Sequence, residues 1–232
     1  MRRNPVYHAR PDVPDEPPFH LLLLRHGQTD ANATGVLQGH QPVPLNALGR
    51  RQAQLLAKRV AEHRPKVGAV ISSDLARAAQ TAAPVAAACG LAPVFDRSWR
   101  ERGFGELEGR NVGEQATWLA AHGDTHPPGG EPVAAFRARV RAALEETARR
   151  YRHLPAAAVV THGGPVGVIL RMLADGTIPL APGSDKLDLS GAPNCSVLEL
   201  VLEQSDERPA WRVACLNDIA HLAGLVTRAD SG

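Results

Sequence analysis

The strongest constraint in this chain is a recurrence: short apolar runs break off abruptly into polar residues and glycine, with helical patterns between them. "LLLL" (21–24) runs into Arg25, His26 and Gly27. "VGAVIS" (67–72) runs into Ser73 and Asp74, and "AAAVV" (156–160) into Thr161, His162, Gly163 and Gly164. Apolar runs this short suit strands buried on both faces. Between the first two, Asn46 is placed to cap a helix in which Leu48, Leu55, Leu56 and Val60 recur near helical spacing. An alanine-rich helix is expected over residues 75–88, disturbed at Pro84. "LAPVF" reads as a short third strand, and Gly103, Gly105 and Gly109 break the stretch after it into loop. A long helix covers residues 132–151 after the loop "THPPGGE", and another restarts over residues 166–173. "CSVLELVL" and "WRVACLN", joined by "EQSDERPA", read as a closing hairpin. Strands alternating with helices predict a three-layer α/β/α sandwich, with a mainly parallel sheet and an antiparallel C-terminal strand or hairpin.

A chain of 232 residues is long enough to bury one large core. The expected organisation is a flexible N-terminal arm over residues 1–18, rich in proline and charge, one domain over 19–227, and a frayed tail over 228–232. The net charge of +2 and the 4% aromatic content give neither a basic stripe nor a stacking platform, which excludes nucleic acid as a partner. No run approaches the ~20 apolar residues that span a bilayer, so no membrane partner is expected either. Cys89, Cys195 and Cys215 fit no metal spacing and read as core residues in a reducing compartment; a cytoplasmic protein is expected. No feature specifies an oligomer, and a homodimer stays open.

Ligands in such folds bind beyond the carboxyl ends of the strands. A sheet would bring Arg25-His26-Gly27, Ser72-Ser73-Asp74 with Arg77 one turn on, and His162-Gly163-Gly164 to one edge. Two arginines and two histidines near helix N-termini suit a compact dianion, because guanidinium forks match phosphate oxygens in pairs and helix-start N–H groups add fixed donors. An imidazole there is also a nucleophile toward phosphorus, kept neutral by its positive neighbours.

"LLRHGQTDAN", "SSDLARAAQTA", "WRERGFGELEG" and "VTHGGPV" together resemble the signature blocks of the histidine phosphatase superfamily, which contains the cofactor-dependent phosphoglycerate mutases and many phosphatases. The resemblance implies that His26 is the nucleophile that becomes phosphohistidine. It implies that Arg25, Arg77 and His162 hold the phosphoryl oxygens, with secondary contacts from Asn32 and the Gly163 N–H. Glu101 matches the family's proton donor, which the reaction needs because an alkoxide leaves poorly. No metal and no cofactor are required, since the arginines and histidines supply the charge. The implied partner is a small phosphorylated metabolite.

Hydrolysis is favoured over mutase transfer because residues 111–125 form no long insertion and contain no lysine or arginine. Arg102 pulls the other way, standing where mutases also carry an arginine; the competing reading is a surface charge. Glu106 and Glu108 read as solvated loop charges, and "PPGGE" resembles a "GGE-S" block that borders the active site in the family's phosphatases, with the role of Glu131 left open because Pro132 replaces the serine. Pro42 stands where relatives carry aspartate, so substrate specificity cannot be carried over. A non-catalytic phosphate-binding relative is the remaining alternative.

Overall fold

The computed structural model describes residues 17–122, 126–181, 187, 189, 191–203 and 209–226. The expected arm, apart from residues 17 and 18, and the expected tail lie outside the described residues. The elements in chain order are β1 (Phe19–Arg25), α1 (Asp30–Ala33), α2 (Ala47–Ala61), β2 (Val67–Ser72), α3 (Ala76–Ala88), β3 (Pro93–Phe95), α4 (Val112–His122), α5 (Val133–Tyr151), β4 (Ala156–Thr161), α6 (Gly163–Ala174), β5 (Val197–Glu203), β6 (Ala210–Asp218) and α7 (Ala223–Val226). The strands form a six-stranded sheet in the order β3-β2-β4-β1-β5-β6. β3, β2, β4 and β1 run parallel, while β5 is antiparallel to both β1 and β6. This is the expected mainly parallel sheet closed by an antiparallel hairpin.

The leucine run shows why both faces are covered. Successive strand residues point to opposite faces. Leu21 and Leu23 join Val159 beneath Phe136, Val140 and Leu144 of α5 and Ile169 and Leu173 of α6. Leu22 and Leu24 join Ala158 and Val160 beneath Leu56 and Val60 of α2 and Ala78, Ala82 and Val85 of α3. All four leucines are at most 1% exposed. Each such burial stabilises by about 1.5–3 kcal/mol, and a one-residue slip would exchange the two faces. That burial fixes where Arg25 and His26 emerge.

Four local features differ from the sequence pattern. Pro84 lies inside α3 without breaking it; the Gln80 carbonyl that loses its usual partner belongs to an exposed residue. Helix α6 begins at Gly163 rather than at Val166, so its first turn is part of the strand-end loop. Residues 112–122, to which the pattern assigned no element, form α4. Its start is closed reciprocally: Asn111 Oδ1 accepts the Gly113 N–H at 2.9 Å, and Glu114 Oε1 accepts the Asn111 N–H at 3.2 Å. Of the cysteines, Cys195 is buried as expected, but Cys89 and Cys215 are only partly so.

Candidate active site

The carboxyl ends of β1, β2 and β4 meet, and the residues singled out in the sequence converge there. His26 leaves β1 with its N–H donating to the Thr161 carbonyl of β4 at 2.9 Å. Its side chain is 2% exposed. Nδ1 lies 2.7 Å from the Gly27 carbonyl, so Nδ1 carries the proton and donates it. Nε2 therefore holds a lone pair, which Arg77 Nε meets as a donor at 3.3 Å. Burial first, then Arg77 and Arg25, push the imidazole well below its ordinary pKa and keep it neutral.

Arg77 is 1% exposed. Its Nη2 donates to the Gly39 carbonyl at 2.8 Å and its Nη1 to the Gln41 carbonyl at 3.2 Å. Burial pushes it down to about 10, which leaves it a cation at neutral pH. Arg25 donates through Nη1 to the Ala192 carbonyl. Its guanidinium lies against the backbone of Gly163: a Cβ at that glycine would be 3.6 Å from Arg25 Cζ.

His162 caps α6 and is fully buried. Its ring meets that of His26 edge to face, with centroids 5.1 Å apart. Ser73 Oγ accepts the Leu75 N–H, so its own proton is available to His162 Nε2, 2.8 Å away. With Ser73 as the donor in this pair, the imidazole proton lies on Nδ1. His162 Nδ1, Arg25 Nε and Arg102 Nη2 are buried and have no hydrogen-bond partner among the described residues. Buried polar groups without partners are uncommon, and those of His162 and Arg25 at the histidine pair, with Arg102 beside Glu101, suit an incoming polyoxygen anion.

Glu101 approaches from the loop after β3. Its Oε1 accepts the Arg102 N–H at 2.8 Å and its Oε2 the Gly164 N–H at 3.0 Å. Arg139 of α5 holds that loop from beneath, donating to the carbonyls of Ser98, Arg100 and Glu101. The same guanidinium forks onto Glu131 at 2.8 and 2.7 Å. Glu131 is thus a loop anchor whose carboxyl is held low chiefly by the Arg139 hydrogen bonds, against the raising effect of burial. Arg102 is not a surface charge; it is 9% exposed and its Nε donates to the Glu131 carbonyl at 2.8 Å. Glu108 is not a solvated loop charge either, since its Oε1 accepts the N–H groups of His40 and Phe104.

Asn32 sits in α1, where its Oδ1 accepts from Thr29 N and Oγ1 and from Asn194 Nδ2. The donor end of its amide is the one that can meet an anion. Asn194 Nδ2 also reaches the His26 carbonyl at 3.0 Å, which ties Asn32 to the strand end. The sequence reading missed Asn194, Arg139 and the orienting role of Ser73. It also missed the carbonyls of Gly39, Gln41 and Ala192, which have no side-chain signature.

The class that fold and site define is an α/β sandwich presenting a histidine pair and a guanidinium cluster, with a carboxylate alongside, at the carboxyl edge of its sheet. The chain belongs to the histidine phosphatase superfamily (branch 1), whose family profile matches residues 21–218. A protein named "Probable phosphoglycerate mutase GpmB" from Yersinia enterocolitica is 34% identical over 215 residues, covering 87% of this chain and 94% of that protein. "Phosphoglycerate mutase-like protein 4" of Arabidopsis thaliana is 33% identical over 224 residues, covering 92% and 91%. Among solved structures, mycobacterial glucosyl-3-phosphoglycerate phosphatase in complex with VO3 superimposes with a TM-score of 0.70 at 26% identity, covering 85% of this chain and 98% of that one.

Proposed function

We propose that the protein is a phosphatase that hydrolyses small phosphomonoesters through a phosphohistidine on His26. The observation that carries this reading is the tautomer of His26, with Nδ1–H tied to the Gly27 carbonyl and Nε2 left as a lone pair beside Arg77. In the first step Nε2 attacks phosphorus in line as the ester P–O bond breaks. Arg25, Arg77 and His162 Nδ1–H take the phosphoryl oxygens, with Asn32 and the Gly163 N–H as outer contacts. Glu101, in its acid form, gives its proton to the leaving oxygen and releases the alcohol. In the second step the Glu101 carboxylate takes a proton from water, the hydroxyl attacks phosphorus, the N–P bond breaks and inorganic phosphate leaves. Charge stabilisation comes from fixed donors, so no step calls for a metal.

Hydrolysis is preferred to transfer because residues 111–125 bring no lysine or arginine toward the site. The mutase reading has in its favour the buried Arg102 beside Glu101 and the names of the two sequence relatives. The phosphatase named above suggests phosphorylated sugar acids as the first substrates to try. The deciding experiment follows phosphate release from a panel of phosphomonoesters, with a phosphoglycerate mutase assay alongside, in the parent and in His26→Ala. The expected result is chelator-resistant phosphate release, an acid-labile phosphoenzyme in the parent and neither in the variant. Turnover by His26→Ala near the parent rate overturns the nucleophile, and mutase turnover exceeding hydrolysis overturns the phosphatase.

A further inference from the structure

At the other end of β1, about 20 Å of extended chain from His26, three side chains from distant parts of the sequence converge. His20 Nδ1 lies 2.7 Å from Glu199 Oε1, and His63 Nε2 lies 3.1 Å from the same oxygen. The three atoms all fall within 4.8 Å of one another. The side chains are 19%, 4% and 12% exposed for His20, His63 and Glu199. The geometry points to a divalent transition-metal site formed by His20 Nδ1, His63 Nε2 and Glu199 Oε1, best suited to zinc.

Three features support a metal over a plain ion-pair network. One ligand atom from each of three parts of the chain lies within 4.8 Å of the other two, close enough for all three to reach a single ion in place of the hydrogen bonds that now join them. Two nitrogens and one oxygen form a donor set that zinc accepts, with a fourth position left for water. Bond lengths of about 2.0–2.2 Å ask the atoms to move only by the scale of a side-chain rotation. Finally, His63 already has the outer contact that metal-binding histidines need. Its Nδ1 donates to the Pro65 carbonyl at 2.7 Å, which orients Nε2 toward Glu199. Arg59 of α2, whose charge acts on His63, is itself held by Asp218 at 3.5 Å. A bound ion would pin β1, β5 and the α2–β2 turn together at the end of the sheet opposite the histidine pair. Its role is therefore structural, and phosphoryl chemistry does not enter it.

The test uses the full chain without an affinity tag, stripped with chelator, desalted and titrated with cobalt(II), then with zinc(II). One equivalent of cobalt is expected to give a saturable visible absorption of a low-coordinate nitrogen/oxygen site, displaced by one equivalent of zinc. Zinc should raise Tm with the same stoichiometry. His20→Asn and Glu199→Gln should each weaken binding by more than the roughly 10–100-fold that loss of an outer partner causes. His20→Asn changes a partly exposed residue and serves if Glu199→Gln fails to fold. Unchanged binding in both folded variants overturns the site. So does a thiolate-to-cobalt charge-transfer band, which would put the metal on Cys215 or another cysteine, or a binding event lost only in His26→Ala.

Discussion

Gly164→Ala should separate proton donation from folding. Gly164 is the second residue of α6, and its N–H holds Glu101 Oε2 at 3.0 Å. A Cβ there would lie 1.9 Å from Glu101 Oε1 and 3.1 Å from Phe136 Cζ. Moving the oxygen from 1.9 Å out to ordinary contact at 3.4 Å displaces it by about 1.5 Å, and a misplacement of about 1 Å at a reacting group can cost about 10²-fold. The closest atom ends a flexible side chain that can swing away at the cost of its hydrogen bonds, Phe136 has only a few tenths of an ångström to yield, and alanine is a better helix former than glycine by about 0.5–1 kcal/mol, so the fold should tolerate the change. The expected outcome is a Tm near that of the parent with an alkyl phosphatase rate down by about 10²-fold or more. Aryl phosphates, whose leaving groups need less protonation, should lose clearly less. Alkyl turnover within a few-fold of the parent, or equal losses on both substrates in a folded variant, would refute Glu101 as the proton donor.

Arg139→Gln leaves the carbonyls of Ser98, Arg100 and Glu101 with weaker partners and unpairs Glu131. It should lower stability in urea by about 1–3 kcal/mol and reduce kcat more than it raises KM; Arg139→Lys should rescue little, because an ammonium cannot fork. The acid limb of kcat/KM should fall well below pH 6.5, since His26 is held well under its ordinary value and its neutral form is the proposed nucleophile. An acid limb at or above 6.5 would contradict the burial argument. By the same shifts, His26 and His162 stay neutral when folded while their unfolded counterparts take up protons. Their contribution to stability is therefore present above about pH 6.5 and is lost as pH falls below it, which urea titrations across that range would read.

The parts of the fold that were legible in the sequence are those where burial alone decides. Residues 21–24 and 156–160 are apolar because helices cover both faces of the sheet, and their register delivers Arg25, His26 and His162 to one edge. Arg25, His26 and His162 were legible as side chains at strand ends and Arg77 as one turn beyond another, while Asn32, Glu101 and Arg102, and the roles of all of them, came from the family resemblance. What escaped has weaker signals. Helix α4 is exposed along most of its length, so no apolar stripe marks it, although the Asn111 to Glu114 spacing was a readable cap. Arg139 is one of several arginines on α5, and sequence does not say which one meets three carbonyls. The ring nitrogens of His20 and His63 meet Glu199 across 179 and 136 positions, a distance no local motif spans.

The cluster around His26 sets two demands against each other, and Arg77 is where they can be measured. Among the described residues Arg77 donates only to carbonyls and to His26, with no carboxylate hydrogen-bonded to it. A buried cation hydrogen-bonded only to dipoles carries a desolvation cost, visible in the depression of Arg77 to about 10 even though the charges of Glu101 and Glu108 act to raise it. An anion that binds only the folded state offsets that cost and raises stability by about 2.7 kcal/mol at 100 times its Kd. Arg77→Met removes the cost and the anion clamp together, while leaving the carbonyls of Gly39 and Gln41 short of a donor. The two effects on the ligand-free protein oppose each other, so its Tm should change little. The gain in Tm from inorganic phosphate or vanadate should collapse, and turnover should fall by about 10²–10³-fold. Undiminished stabilisation by phosphate in the folded variant would remove Arg77 from the clamp. Loss of the fold itself would show that Arg77 is held there to close the loop at Gly39 and Gln41, with the anion a secondary beneficiary.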